Sequence, residues 1–306
     1  MLPVTTIDCE YVAPDLAAAF LIASRGEAAF VETNTSHAVP RLLTALDAAG
    51  LAREAVRYVI VTHVHLDHAG GTSALLAALP HARVLAHPRA ARHLIDPSRL
   101  VASAKGVYGE AAFARLYGEI GPIDGARVDA LEDGAGVTLG GEPLSFLHTR
   151  GHANHHFIVH APAWDTVFTG DTFGLVYPRL QRGGLFAFPS TSPTDFDAQA
   201  ALASVDRVVS LGTGRVHLTH FGEVARVSAA AEQLRGWLTR SAALVDDIKS
   251  SGRDEPFVRA ALLAELHERA AAARLTLTPD DLAFLELDLG LNAQGLLAAA
   301  HAPPRK

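Results

Sequence analysis

The sequence has one cysteine, Cys9, so no internal disulfide is open to it. That scarcity suits a reducing compartment, and the expected location is the cytoplasm. Sustained charge of one sign is also missing. The 306 residues carry a formal net charge of -7 with no basic run, which disfavours a nucleic-acid partner. No uncharged apolar stretch reaches the roughly 18 residues of a membrane span, so no membrane association is expected. Asp8, Glu10 and Asp15 interrupt the first apolar residues, and no N-terminal targeting segment is expected. Internal repeats do not stand out. What the chain does have is apolar material, 49% of residues against 19% charged. That suffices for a sizeable core and argues against disorder.

The most informative stretch is Thr62-His63-Val64-His65-Leu66-Asp67-His68, which packs three imidazoles and one carboxylate into six residues. Before it, Val56–Thr62 reads as a short buried strand rich in β-branched residues. After it, Ala69-Gly70-Gly71-Thr72-Ser73 leads to Ala74–Leu79, a helical pattern closed by Pro80. The cluster therefore sits where a strand turns into a helix, the place open α/β sheets use for ligands. Neutral imidazoles and carboxylates are ligands that zinc, iron and manganese share. His63 and His65, two apart on extended backbone, point the same way, while Asp67 and His68 lie past the bend. A chance cluster among 16 histidines is the bland alternative. It would bury polar groups at a cost with nothing to offset it.

Three later positions repeat the theme of a ligand-type residue at a strand end beside glycine. They are His152 after Gly151, Asp171 after Gly170, and His220 before Gly222. Strands are expected at Val4–Tyr11, Ala17–Ser24, Ala28–Thr33, Arg83–His87, Val137–Leu139, Pro143–Thr149, Phe157–Ala161, Thr166–Thr169 and Arg215–Thr219. Pro40–Ala49 and Thr194–Leu211 are expected helices, the latter capped near Thr194 or Asp195. A helical insert is expected over about residues 92–121. Everything after Glu223 has a helical pattern.

In this order, H-x-H-x-D-H, G-H, G-D-T and a final His resemble the signature of the metallo-β-lactamase-fold superfamily, over roughly residues 4–225. The resemblance implies an α/β fold, the αββα sandwich, with the insert and a helical C-terminal extension added. The expected division is a fold domain over 1–250 and an extension over 254–306. The resemblance further implies that His63, His65 and His152 hold one metal ion. Asp67, His68 and His220 would hold a second, with Asp171 bridging and His156 orienting the loop. Two divalent ions are implied, zinc first, with iron or manganese as alternatives. Asp171 as bridge resembles the glyoxalase II and lactonase side of the superfamily. The reaction expected is hydrolysis of a small ester, thioester or lactone by metal-bound hydroxide, with Asp67 also handling the proton. An iron-dependent redox protein on the same fold is the alternative. One departure stands out: Glu32-Thr33-Asn34 occupies the place of the superfamily's common Asp-x-Gly.

The segment Thr172–Thr191 is the expected substrate wall, with Phe173 and Tyr177 as apolar contacts and Arg179 and Arg182 for a substrate carboxylate. The tail is amphipathic: Phe257, Val258, Leu262, Leu263 and Leu266 recur at helical spacing. Such a face must be covered by the sandwich, the insert or a second subunit, which makes a homodimer one way to bury it.

Overall fold

The structure, a computed structural model, describes residues 3–191 and 195–302. Two mixed six-stranded sheets flanked by helices form an αββα sandwich with a helical insert and a helical C-terminal extension. The first sheet runs in chain order: β1 (Val4–Asp8), β2 (Ala18–Ser24), β3 (Glu27–Val31), β4 (Val56–Ile60), β5 (Arg83–Ala86) and β6 (Val128–Ala130). Its first three strands pair antiparallel and the rest parallel. The second sheet comprises β7 (Gly136–Leu139), β8 (Glu142–His148), β9 (Phe157–Ala161), β10 (Thr166–Gly170), β11 (Arg215–Leu218) and the short edge strand β12 (Gly222–Val224). There β10 and β11 pair parallel, while β7 to β10 pair antiparallel.

The residues divide into two compact units. The first takes in the described residues of Met1–His148, His155–Gly170 and Arg215–Glu223; the second those of Thr149–Asn154, Asp171–Gly214 and Val224–Lys306.

In the first unit the strands β2, β3 and β10 are buried on both faces, which is why they read as apolar runs rather than as alternating ones. Period two sorts each run between two cores. Phe20, Ile22, Ala29, Val31 and Leu85 meet Phe146, Phe157, Val159 and Phe168 of the second sheet. Ala19, Leu21, Ala28, Phe30, Val84 and Ala86 face the helices. There α1 (Val39–Ala48), begun by Pro40 in its first turn, buries Leu42 and Leu46. Each such leucine contributes roughly 1.5–3 kcal/mol of burial. Next come α2 (Leu66–Ala69) and α3 (Thr72–Ala77), then the insert as α4 (Pro88–Ile95), α5 (Ser98–Tyr108) and α6 (Glu110–Tyr117).

The second unit holds α7 (Ala198–Ser210), α8 (Val227–Ser251), α9 (Glu255–Ala272), α10 (Pro279–Phe284) and α11 (Glu286–His301). The side chain of Asp197 caps α7 by accepting from Ala200 N at 3.0 Å. The cap expected near Thr194 or Asp195 thus lies a few residues later; Thr194 itself is outside the described residues. Along α9 the buried positions are Val258, Leu262, Leu266 and Ala270, four apart. Phe257 and Leu263, expected on the same stripe, fall off its edge and are exposed. Among the described residues no helix is long and apolar enough to cross a membrane.

Candidate metal centre

Two parallel strand pairs, β3–β4 in one sheet and β10–β11 in the other, set the geometry. Parallel neighbours deliver their carboxyl ends to one edge of a sheet. At that edge Phe157 N donates to Thr62 O at 3.0 Å and Ala18 N to Thr219 O at 2.7 Å. Beyond β4 the chain bends at Thr62 and His63 and is extended again at His65, whose φ and ψ are -62° and 146°. His63 and His65 share a side: His63 Nε2 lies 2.9 Å from His65 Nδ1, and the rings are 4.4 Å apart. Val64, between them, is buried in the helix-side core.

The turn into α2 then brings up Asp67 and His68, and the end of β11 brings His220. Asp67 Oδ2 is 3.8 Å from His68 Nε2 and 3.4 Å from His220 Nε2. Two groups of donor atoms result, each within 4.8 Å: Glu32, His63 and His68, and Asp67, His68 and His220. His68 belongs to both. His63 and His68 are fully buried and His220 is 6% exposed, whereas the Asp67 side chain is 27% exposed. Solvent therefore meets this cluster at Asp67.

The far side of each ring explains its orientation. His220 Nδ1 lies 2.7 Å from the Leu16 carbonyl. A carbonyl only accepts, so Nδ1 carries the proton and Nε2 presents its lone pair toward Asp67. His68 Nδ1 lies 3.2 Å from Glu32 Oε1, which turns Nε2 the same way. An imidazole that donates one nitrogen to oxygen and offers the other is the usual posture of a metal ligand. The donor set, imidazole nitrogen and carboxylate oxygen, suits zinc, iron and manganese.

Glu32, noted in the sequence only as a departure, turns out to join three segments. Fully buried, it accepts from Thr62 Oγ1 and meets Thr219 Oγ1 at 3.4 Å, besides His68. Asn34 does related work: its Nδ2 donates to the Asp67 carbonyl at 2.9 Å, and its own carbonyl accepts from Gly71 N at 2.7 Å. An acid closing an apolar strand beside β4 was the available signal for Glu32. His156 is also buried, its ring 4.9 Å from that of His63. Gly170 makes room for both: with φ of +49°, a Cβ there would strike Thr62 Oγ1 and sit 2.6 Å from His156 Nε2.

In the second unit, His152 and Asp171 come together by themselves. His152 Nε2 is 3.4 Å from Asp171 Oδ2, and its Nδ1 is 3.1 Å from the Ser190 carbonyl. The posture repeats that of His220.

Residues 12–220 match the family model of the metallo-beta-lactamase superfamily. The chain belongs to that superfamily. The metallo-beta-lactamase fold-containing protein ST1585 of Sulfurisphaera tokodaii is 29% identical over 172 residues, 55% of this chain and 61% of that protein. A hydroxyacylglutathione hydrolase of Maricaulis maris is 30% identical over 159 residues, 52% of this chain and 48% of the hydrolase. Both alignments span less than two thirds of the relative. The crystal structure of ST1585 from Sulfolobus tokodaii superimposes with a TM-score of 0.67 at 21% identity, covering 97% of this chain and 98% of that one. That likeness is one of fold.

Outside the superfamily's shared motifs, the residues expected to bind substrate are turned into their own unit. Phe173 is fully buried. Tyr177, 2% exposed, packs its ring against Phe188 and Phe284 and donates to Asp288 Oδ1 at 3.4 Å. Arg179 and Arg182 both meet Asp281, at 3.3 and 2.5 Å, and Arg179 also lies over the Phe284 ring. The carboxylate expected of a substrate is supplied to these arginines by α10.

Proposed function

We propose that this chain is a dinuclear metal-dependent hydrolase of the glyoxalase II and lactonase side of the superfamily, acting on a small ester, thioester or lactone. The observation that carries this reading is the donor group Asp67, His68 and His220 beside the convergent nitrogens of His63 and His65. Glu32 acts in it as the support of His68 rather than as a ligand, since its oxygens are bonded by Thr62 and by His68 Nδ1 in a fully buried position. Asp67, His68 and His220 then hold one ion. His63 and His65, whose nitrogens converge at 2.9 Å, would hold the other with His152, and Asp171 would complete the ligand set. Zinc is the first metal, with iron or manganese as alternatives.

When bound, two such ions supply a water of pKa near 7 and polarise a carbonyl oxygen. The chain's own residues do the rest. Asp67, the ligand carboxylate that reaches solvent, takes up the proton at Oδ1, the oxygen other than the one beside His220, and passes it to the leaving oxygen or sulfur. Glu32 and the Leu16 carbonyl keep His68 and His220 in the tautomer that offers Nε2. The relative named hydroxyacylglutathione hydrolase supports a thioester among the substrates.

The test is hydrolysis of phenyl acetate, S-phenyl thioacetate and dihydrocoumarin by metal-loaded protein, before and after chelation. The expected result is turnover of at least one substrate, lost on chelation and restored by zinc or manganese. Protein with both ions bound that hydrolyses none of them, or iron protein with a visible band and oxygen-dependent turnover only, would overturn it.

A further inference from the structure

Buried backbone needs hydrogen-bond partners, and along residues 185–191 three side-chain amides supply them. Gln233 of α8 accepts from Ala187 N at 2.7 Å and donates its Nε2 to the Leu185 carbonyl at 2.7 Å. Asn292 of α11 repeats this grip four residues on. Thr191 N donates to its Oδ1 at 2.7 Å, and its Nδ2 donates to the Pro189 carbonyl at 3.0 Å. The third amide, Gln181, accepts from Phe186 N and donates to the Phe186 carbonyl, both at 3.0 Å. Phe188 is held by backbone: Leu175 N donates to its carbonyl at 2.8 Å, and its own N–H donates to the Leu175 carbonyl at 3.2 Å.

This pattern is that of an extended chain with two edges. Each trans peptide points its C=O and N–H in opposite directions. The carbonyl of one residue and the N–H two residues on therefore share an edge, and the residue between offers both its groups to the other edge. Gln233 and Asn292 grip one edge, Gln233 around Phe186 and Asn292 around Ser190. Gln181 and Leu175 hold the other edge, at Phe186 and Phe188. Ser190 comes next on that second edge, and its carbonyl meets His152 Nδ1 at 3.1 Å. A carbonyl only accepts, so the proton sits on Nδ1, and Nε2 faces Asp171 Oδ2 at 3.4 Å. Asn292 thus brackets the residue that sets the tautomer of His152.

Asn292 is costly where it stands. It is 8% exposed in α11, beside Ala293 and near Leu296, both fully buried, and a leucine there would leave no amide to satisfy. Thr191 completes the grip, its hydroxyl shared between the carbonyl and Oδ1 of Asn292 at 2.9 and 3.1 Å. We propose that Asn292 is a positioning residue for His152. Through Pro189 and Thr191 it aims the Ser190 carbonyl, so that the C-terminal extension governs which nitrogen of His152 is offered to a metal. The inference rests on the dinuclear reading, in which His152 is a ligand, and extends that reading to α11. Gln233 makes the same grip around Phe186 and serves as the matched control.

The test compares full-length Asn292→Leu and Gln233→Leu with the wild type, each by two readouts. Proton–nitrogen correlation spectra of the imidazoles in metal-free protein report the tautomer, with His152 assigned by its loss in His152→Gln. Wild type and Gln233→Leu should show His152 protonated at Nδ1 alone, and Asn292→Leu a mixture of tautomers. After reloading with zinc, chelator competition should show affinity about tenfold lower in Asn292→Leu and unchanged in Gln233→Leu. Asn292→Ala carries the same expectations should Asn292→Leu not fold. An unchanged tautomer or unchanged zinc affinity in the Asn292 variant, or an equal change in Gln233→Leu, would overturn the proposal. Wild-type protein that takes up no zinc overturns the dinuclear reading instead, and the tautomer of His152 then decides the role of Asn292 by itself.

Discussion

Each unit holds a carboxylate at 1% exposure or less, Glu32 in the first and Asp281 in the second, and the two are used in opposite ways. Glu32, at the end of β3, meets two threonine hydroxyls and the imidazole of His68. Asp281, 1% exposed in α10, meets two guanidinium groups and completes a capping box with Thr278. The Arg182 hydrogen bond first, then those from Thr278, hold the Asp281 carboxyl well below the usual range. A carboxylate neutralised by arginines is finished business: it ties the 179–182 segment to the helix and offers nothing further. One that meets threonine hydroxyls, a backbone N–H and an imidazole passes its orientation on to the residues that would bind a metal. Burial of an acid does not separate scaffold from site; the partner does.

That contrast can be broken by a matched pair of substitutions. Glu32→Gln should weaken metal binding by about 10–100-fold, the usual effect of losing an outer partner of a ligand, read by chelator competition. Asp281→Asn should leave metal affinity alone and cost about 2 kcal/mol of stability, less than a fully buried pair because Arg179 and Arg182 are 40% and 47% exposed. Denaturant melts measure it. Metal loss in Asp281→Asn with none in Glu32→Gln would invert the comparison.

Buried imidazoles sharpen the contrast, because some in the sandwich serve no centre. His217 lies between Phe20 and Phe168, hydrogen-bonded to Thr166, with Glu223 at 3.7 Å. Burial first, then Arg215, lowers its pKa to about 4. His87, whose Nδ1 accepts from Arg89 N at the start of α4, is lowered to about 4 by burial and then by His148. Lowered folded values mean that the unfolded chain binds these protons first. The stability they permit is intact above about pH 6.5 and declines as pH falls toward 4, by on the order of a few kcal/mol in total. Melting temperature against pH should flatten in His217→Gln; an unchanged slope would count against the assignment. The smallest effect belongs to Arg182→Ala. It should cost under about 1 kcal/mol and leave KM unchanged, where a raised KM would return the arginine to the substrate.

The clustering of His63, His65, Asp67 and His68 was legible in the sequence because it is local. A period-two His pair and a turn into a helix can be read from seven consecutive residues, and glycines flag the later strand ends. The partner of the arginines was not legible for the opposite reason: Asp281 stands 99 and 102 residues beyond Arg182 and Arg179, and nothing near them announces it. Phe173 and Tyr177 looked like a pocket wall, but apolar residues in a loop serve a core equally well. Glu32 was visible as a departure, yet its role needed the pairing of β3 with β4. β6 and β12, three residues each, are too short to show periodicity. On α9 the spacing identified the right face, and its exact phase left Phe257 outside, under the guanidinium of Arg253.

The central claim is that the edge carrying the ends of β3, β4, β10 and β11 is a dinuclear metal centre. His68 tests it most directly because it stands in the donor group with Asp67 and His220 and takes its orientation from Glu32. Metal content by inductively coupled plasma mass spectrometry, on folded wild-type protein and on His68→Ala, is the measurement. The account expects two ions per chain in the wild type, and at least one lost together with hydrolysis in the variant. A wild-type protein that binds no ion, or a variant that retains both, would contradict it.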